Sequence, residues 1–132
     1  MTGLDVLGLT FRVPGRAIVS DACLSVERGE TVAILGPSGS GKTTLLRLVA
    51  GLERPSSGSV TFDGENLNSA PPHRRGFGMM FQDHALFPHM DVAGNVEFGL
   101  KQLAWNREAR VIRRSEVLDI VGLQGFERRA ID

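Results

Sequence analysis

The run Gly36-Pro37-Ser38-Gly39-Ser40-Gly41-Lys42-Thr43 satisfies the pattern G-x-x-x-x-G-K-[ST]. Its residue types suit one task, the holding of a triphosphate. Such a ligand carries several negative charges and needs many donors converging on one point. Glycines let the backbone curl until successive N–H groups face a single concavity. A helix starting at the end of the run adds its positive dipole end and its unpaired N–H groups. Lys42 can then reach the β- and γ-phosphates as a point charge, and the Thr43 hydroxyl can coordinate the Mg²⁺ that bridges them. The expected nucleotide-contacting set is Gly36, Pro37, Ser38, Gly39, Ser40, Gly41, Lys42, Thr43 and Thr44, and the expected ligand is ATP with Mg²⁺. With glycine near ~7% of average composition, a chance match in a chain of this length has odds of about one in a hundred. A Gly/Ser linker is the plain alternative. A linker is not followed at once by Lys-Thr and a leucine-rich helical pattern.

The elements on either side must position that loop. Thr31 to Leu35 is a short β-branched and apolar run without alternation, which predicts a strand buried on both faces, as in a parallel sheet. From Lys42 to Ala50 the pattern is helical, with Leu45, Leu48 and Val49 on one face, Leu46 beside it and Gly51 just past the end. Strand, glycine run and amphipathic helix in that order are the context that the phosphate-loop reading requires. Upstream, Leu4, Val6, Leu9 and Phe11 predict a half-buried strand and Pro14-Gly15 a turn. Ile18-Val19 with Leu24 and Val26 predict further strand, ended by a turn at Arg28-Gly29-Glu30. Downstream, Val60 to Phe62 reads as a strand entering a tight turn at Asp63-Gly64, and Phe77 to Phe81 as another short strand. After Gln82 the character becomes helical. Asp91 caps a helix through Val92, Val96 and Leu100, and Asn106 caps a longer one to Val121, closed by Gly122.

The segments beyond the loop resemble the nucleotide-binding domains of ABC transporters, importer type, in the family's own order. Thr43 to Gly58 is similar to that family's helix and exit loop, and Val60-Thr61-Phe62-Asp63-Gly64 to the strand and turn after it. Phe81-Gln82-Asp83-His84-Ala85-Leu86-Phe87-Pro88-His89-Met90 resembles its Q-loop and the following segment, and Asn95 to Leu100 the start of its helical subdomain. The resemblance implies an α/β fold: a P-loop NTPase (ABC ATPase-like) core with an N-terminal antiparallel β part and the start of an α-helical subdomain. Residues 1–82 would form the ATP-binding core with its β subdomain and Walker A loop. Residues 83–132 would form the Q-loop exit and the beginning of the helical subdomain. Gln82 would be the catalytic residue, its side-chain carbonyl meeting Mg²⁺ or the attacking water, so that Thr43 and Gln82 form the implied metal set. The implied partners are transmembrane permease subunits and a second ATP-binding subunit in a head-to-tail dimer. The implied location is cytoplasmic, held at the inner face of the membrane through those subunits. Ala85-Leu86-Phe87-Pro88-His89 would lie near the groove for a permease helix, with ordinary core packing of Leu86 and Phe87 as the alternative. The Leu-Phe-Pro-His wording leans toward importers of small solutes.

Two departures from the family pattern matter. Val13 occupies the place where the family carries an adenine-stacking aromatic, and Phe11, the nearest aromatic, is expected in the core. The LSGGQ-type signature, the Walker B acid, the catalytic Glu after it and the switch His are not among the 132 residues. His73, His84 and His89 precede the place of the switch His and are expected in loops or at the surface. The chain is therefore expected to be the N-terminal part of a longer ABC ATPase that, by itself, binds ATP without turnover. Two alternatives stay open: a small P-loop kinase or NTPase using Asp83 as its metal-side acid, and a non-hydrolysing nucleotide-binding module.

Composition excludes several other classes. Lys+Arg and Asp+Glu both total 15, so no global basic field exists to hold nucleic acid or an anionic membrane surface. Arg107, Arg110, Arg113 and Arg114 form a local run, read as the solvated face of a helix. The single cysteine, Cys23, allows no internal disulfide and suits a reducing compartment. No signal peptide is evident. No apolar run approaches the ~18 residues of a membrane span, so no direct insertion is expected.

Overall fold

β1 (Leu4–Val13) and β2 (Arg16–Val26) form an antiparallel hairpin about Pro14-Gly15 in the computed structural model, which describes residues 3–83 and 85–131. β3 (Ser57–Phe62) and the short β4 (Glu65–Asn66) complete a sheet of order β2-β1-β3-β4, antiparallel throughout. The β3–β4 connection is Asp63-Gly64 with φ +51° and +82°, the doubly left-handed turn that a two-residue hairpin prefers. The apolar residues of β1 change parity between Val6 and Leu9, yet both are fully buried. A bulge between Val6 and Leu9 reconciles them, because the extra residue returns the strand to its core face. Helix α1 (Lys42–Ala50) lies on that face, and Leu48 joins Val6, Leu9, Val19 and Val60 in one cluster, with Phe11, Leu45 and Val49 packed against it. All of this belongs to a first compact unit, Met1–Met79.

The strand expected at Thr31–Leu35 does not form. The segment makes no ladder, and Val32 and Leu35 are 39% and 89% exposed. Phe77–Phe81, the other expected strand, is likewise outside any ladder. Both runs have the composition of buried strands, but a strand exists only through its neighbours. Among the described residues every paired strand belongs to the antiparallel sheet.

The second unit, Met80–Asp132, carries α2 (Val92–Gln102) and α3 (Arg107–Ile120). Both begin where the sequence places their caps: the Asp91 carboxylate accepts from Gly94 N–H at 2.7 Å, and the Asn106 side chain from Ala109 N–H at 2.8 Å. The Asn95 amide pins the preceding segment, accepting from Phe87 N–H at 2.8 Å and donating to Phe87 O at 3.2 Å, while the Phe87 ring packs on Phe98 at 4.3 Å. Leu86 points outward, 51% exposed.

The arginine run is only partly a solvated face. Arg113 pairs with Glu116 at the surface, but Arg110 and Arg114 both turn inward to Glu97, which is 8% exposed. One buried carboxylate thus joins α3 to α2 through two guanidiniums. Glu97→Ala leaves both without their counter-charge and is expected to destabilise this unit by about 3 kcal/mol. Urea unfolding followed through Trp105, the sole tryptophan, checks this. A loss under about 0.5 kcal/mol would show the pairs to be surface-like.

Candidate nucleotide-binding site

The loop from Gly36 to Gly41 is a turn, not a linker. Ser40 N–H bonds back to Pro37 O at 3.2 Å, and the Lys42 ammonium reaches across the loop to Gly36 O at 2.8 Å and Pro37 O at 2.7 Å, with Ser40 Oγ at 3.4 Å. The entry of the loop is therefore tied to its exit by one cation. Gly41, the residue before α1, sits at φ +92°, and a Cβ there would lie 2.6 Å from Ile18 O on β2. Only glycine combines that backbone angle with that approach. A Cβ on Gly36 would lie 2.9 Å from Ser40 Oγ, so a side chain there would push into the same concavity.

α1 opens with no side-chain cap and no acidic residue in its first turn. The first N–H returned to the helix is that of Leu45, which bonds Gly41 O at 2.8 Å. By helix geometry the N–H groups of Lys42, Thr43 and Thr44 have no intrahelical acceptor. They point, with the positive end of the helix dipole, toward the region in front of the loop. A cavity of about 360 Å³ adjoins it, walled by Ile18, Ala22, Ile34 and Leu45 and edged by Gly36 and Lys42. Free amides, a helix N-terminus, an ammonium and glycines that admit close approach make an anion cradle. The residues fit the phosphates of a nucleotide.

The structure brings together Gly36, Pro37, Ser38, Gly39, Ser40, Gly41, Lys42, Thr43 and Thr44, with Thr43 exposed at the first turn. Gln82 stands in the second unit, exposed in the turn Gln82-Asp83. Val13 ends β1 beside the hairpin turn, and Phe11 packs on the core cluster. Of the three histidines, His73 and His89 are exposed, and His84 lies outside the described residues. One residue of consequence escaped the sequence reading. Arg75 is buried at the far end of α1, where its Nη1 donates to Leu48 O and Val49 O. Its position after Pro71-Pro72 in a charged stretch carries no periodic signal.

Comparison with known proteins agrees with this geometry. The family model described as ABC transporter matches residues 19–132. The Fe(3+) ions import ATP-binding protein FbpC of Streptomyces avermitilis is 51% identical, over 97% of this chain and 37% of its own length. The putrescine transport ATP-binding protein PotG of Escherichia coli is 44% identical, over 96% of this chain and 33% of its own. The chain thus spans little more than a third of these curated relatives. A solved dimeric post-hydrolysis state of the ATP-binding cassette MJ0796, bound to ADP and Pi, matches with a TM-score of 0.83 at 27% identity, covering 97% of this chain and 61% of that one. The fold is that of an α/β P-loop NTPase of the ABC ATPase type, with an N-terminal antiparallel sheet and a helical subdomain. By the family match over residues 19–132, and in keeping with its phosphate-loop geometry, this chain belongs to the ABC transporter family, in its ATP-binding domain.

Proposed function

We propose that this chain binds MgATP through Gly36–Thr44 and forms part of the ATP-binding subunit of an ABC importer, in which nucleotide binding and hydrolysis drive movement of a small solute. The observation that carries this reading is the ammonium of Lys42 held between Gly36 O and Pro37 O at the N-terminus of α1. Fixed there, it meets incoming phosphate oxygens with its charge already in place. The N–H groups of the first turn of α1 take the remaining phosphate oxygens. Thr43, exposed on that turn, and Gln82 are the residues that would hold Mg²⁺, which would supply charge neutralisation for the phosphates. Gln82 would also orient the attacking water. Relatives named for Fe(3+) ions and for putrescine support a small-solute importer, and the dimeric MJ0796 structure supports pairing with a second ATP-binding subunit. Permease subunits would then hold the assembly at the cytoplasmic face of the membrane.

Calorimetric titration of MgATP into the chain tests the reading, and absence of binding at millimolar nucleotide would end it. The same titration with MgGTP tests the base site. With Val13 ending β1 and Phe11 committed to the core, no aromatic face is offered to the base at this hairpin. Base stacking contributes about 1–3 kcal/mol where an aromatic provides it. The affinities for ATP and GTP are expected to lie within about threefold of each other. A preference for ATP beyond about tenfold would place an adenine-reading group elsewhere in the chain.

A further inference from the structure

Arg75 belongs neither to the phosphate loop nor to the Gln82 turn. It is 6% exposed, and among the described residues no carboxylate pairs with it. Its Nη1 donates to Leu48 O at 3.1 Å and Val49 O at 2.9 Å, and its Nε to Ala70 O at 2.9 Å. Burial pushes its pKa down from the ordinary arginine value. The negative charge that this guanidinium meets is the carbonyl end of α1.

The backbone already closes part of that helix end. Gly51 N–H bonds Leu48 O at 3.1 Å and Leu52 N–H bonds Arg47 O at 2.9 Å, the paired closure of a helix ending in a left-handed residue. Val49 O is left for the guanidinium. Gly51 makes room for it, because a Cβ there would lie 2.3 Å from Arg75 Nε. The other end of this same helix carries Lys42, Thr43 and Thr44.

We propose that Arg75 is a positioning residue for the nucleotide site: it clamps the carbonyl end of α1 to the Ala70 loop and so fixes the axis and dipole of the helix whose opposite end faces the phosphates. This rests on the nucleotide-binding reading above. α1 has nine residues, so its ends are about 14 Å apart at the helical rise. A swing of about 5° at the clamped end moves the phosphate end by about 1 Å, enough to misplace converging donors. A cation at the carbonyl end also neutralises the negative pole of the helix, leaving the positive pole at the phosphates uncancelled. Both effects act through the helix, with no contact between Arg75 and the ligand.

The test compares the wild-type chain with Arg75→Gln and Arg75→Lys, each held well below its own melting temperature. Calorimetry with MgATP is expected to show binding about tenfold weaker in Arg75→Gln, with Arg75→Lys recovering much of the loss because its ammonium still meets the carbonyl end. The amide N–H resonances of Gly39, Gly41 and Lys42 are expected to shift in the nucleotide-free variants, although the substitution lies a helix length away. A purely structural role lowers the melting temperature and leaves both the affinity and those resonances unchanged, which overturns the proposal. If Arg75→Gln does not fold, Arg75→Lys decides: shifted resonances with affinity weakened by about twofold or more support the clamp, and wild-type values refute it. If the wild-type chain takes up no MgATP, the nucleotide reading itself falls, and the resonance comparison still decides whether Arg75 sets the shape of the loop.

Discussion

Lys42→Ala is expected to weaken MgATP binding by at least about a hundredfold, roughly 3 kcal/mol, and to change fold stability by no more than about 0.5 kcal/mol. The first half follows from geometry. The ammonium is already anchored at 2.8 Å and 2.7 Å from two carbonyls at the loop entry, so it loses little conformational freedom when it takes phosphate oxygens as further partners. Charge-assisted bonds to phosphate are about twice as strong as neutral ones. The second half follows from where the fold is held together. The core cluster is Val6, Leu9, Val19, Leu48 and Val60, and Lys42 is not in it. The carbonyls it leaves belong to the exposed residues Gly36 and Pro37 and can turn to water, while alanine is a better helix former than lysine at the start of α1. Calorimetry and a thermal melt on the same sample check both halves. Unchanged affinity would remove the central cation from the cradle. Loss of cooperative unfolding would mean that the loop holds the domain together rather than its ligand.

The local devices were legible in the sequence because each is written in a few neighbouring residues. The phosphate loop, the helix Lys42–Ala50 closed by Gly51, the Asp63-Gly64 turn and the caps at Asp91 and Asn106 all stand where residue type and spacing put them. The bulge in β1 went unread, although the change of parity between Val6 and Leu9 marks it. What failed depends on distant partners. Thr31–Leu35 has the composition of a doubly buried strand, yet composition cannot supply the strands on either side, and Leu35 is 89% exposed. Arg110 and Arg114 read as solvated charges because charged residues are rarely buried, and Arg75 gave no signal at all. Each turns inward because a specific acceptor waits there: the carbonyl end of α1 for Arg75, and Glu97 for the other two. Periodicity identifies a face of an element. It does not identify the one polar group on another element that makes burying a charge tolerable.

Mixed with MgATP, the 132-residue chain is expected to release no phosphate above the level of its Lys42→Ala variant. Binding and turnover ask different things of a site. The amides at the start of α1 and the Lys42 ammonium would hold the phosphates, and whatever part of that binding is equal in ground state and transition state raises affinity without raising kcat. Acceleration requires groups that act on the attacking water and on charge that develops only as the bond breaks. The walls of the cavity beside the loop include no aspartate or glutamate among the described residues. Gln82 is an amide, able to orient a water but not to take its proton, and Asp83 beside it lies exposed in a turn. The signature and the carboxylates that the family resemblance assigns to this step are not among the residues of the chain. Steady phosphate release, measured with a coupled enzyme assay and abolished by Lys42→Ala, would show that the chain supplies a base of its own, and Asp83 would then be the first candidate. Binding without release would separate the two halves of the reaction physically, the positioning of the triphosphate from the steps that complete its hydrolysis.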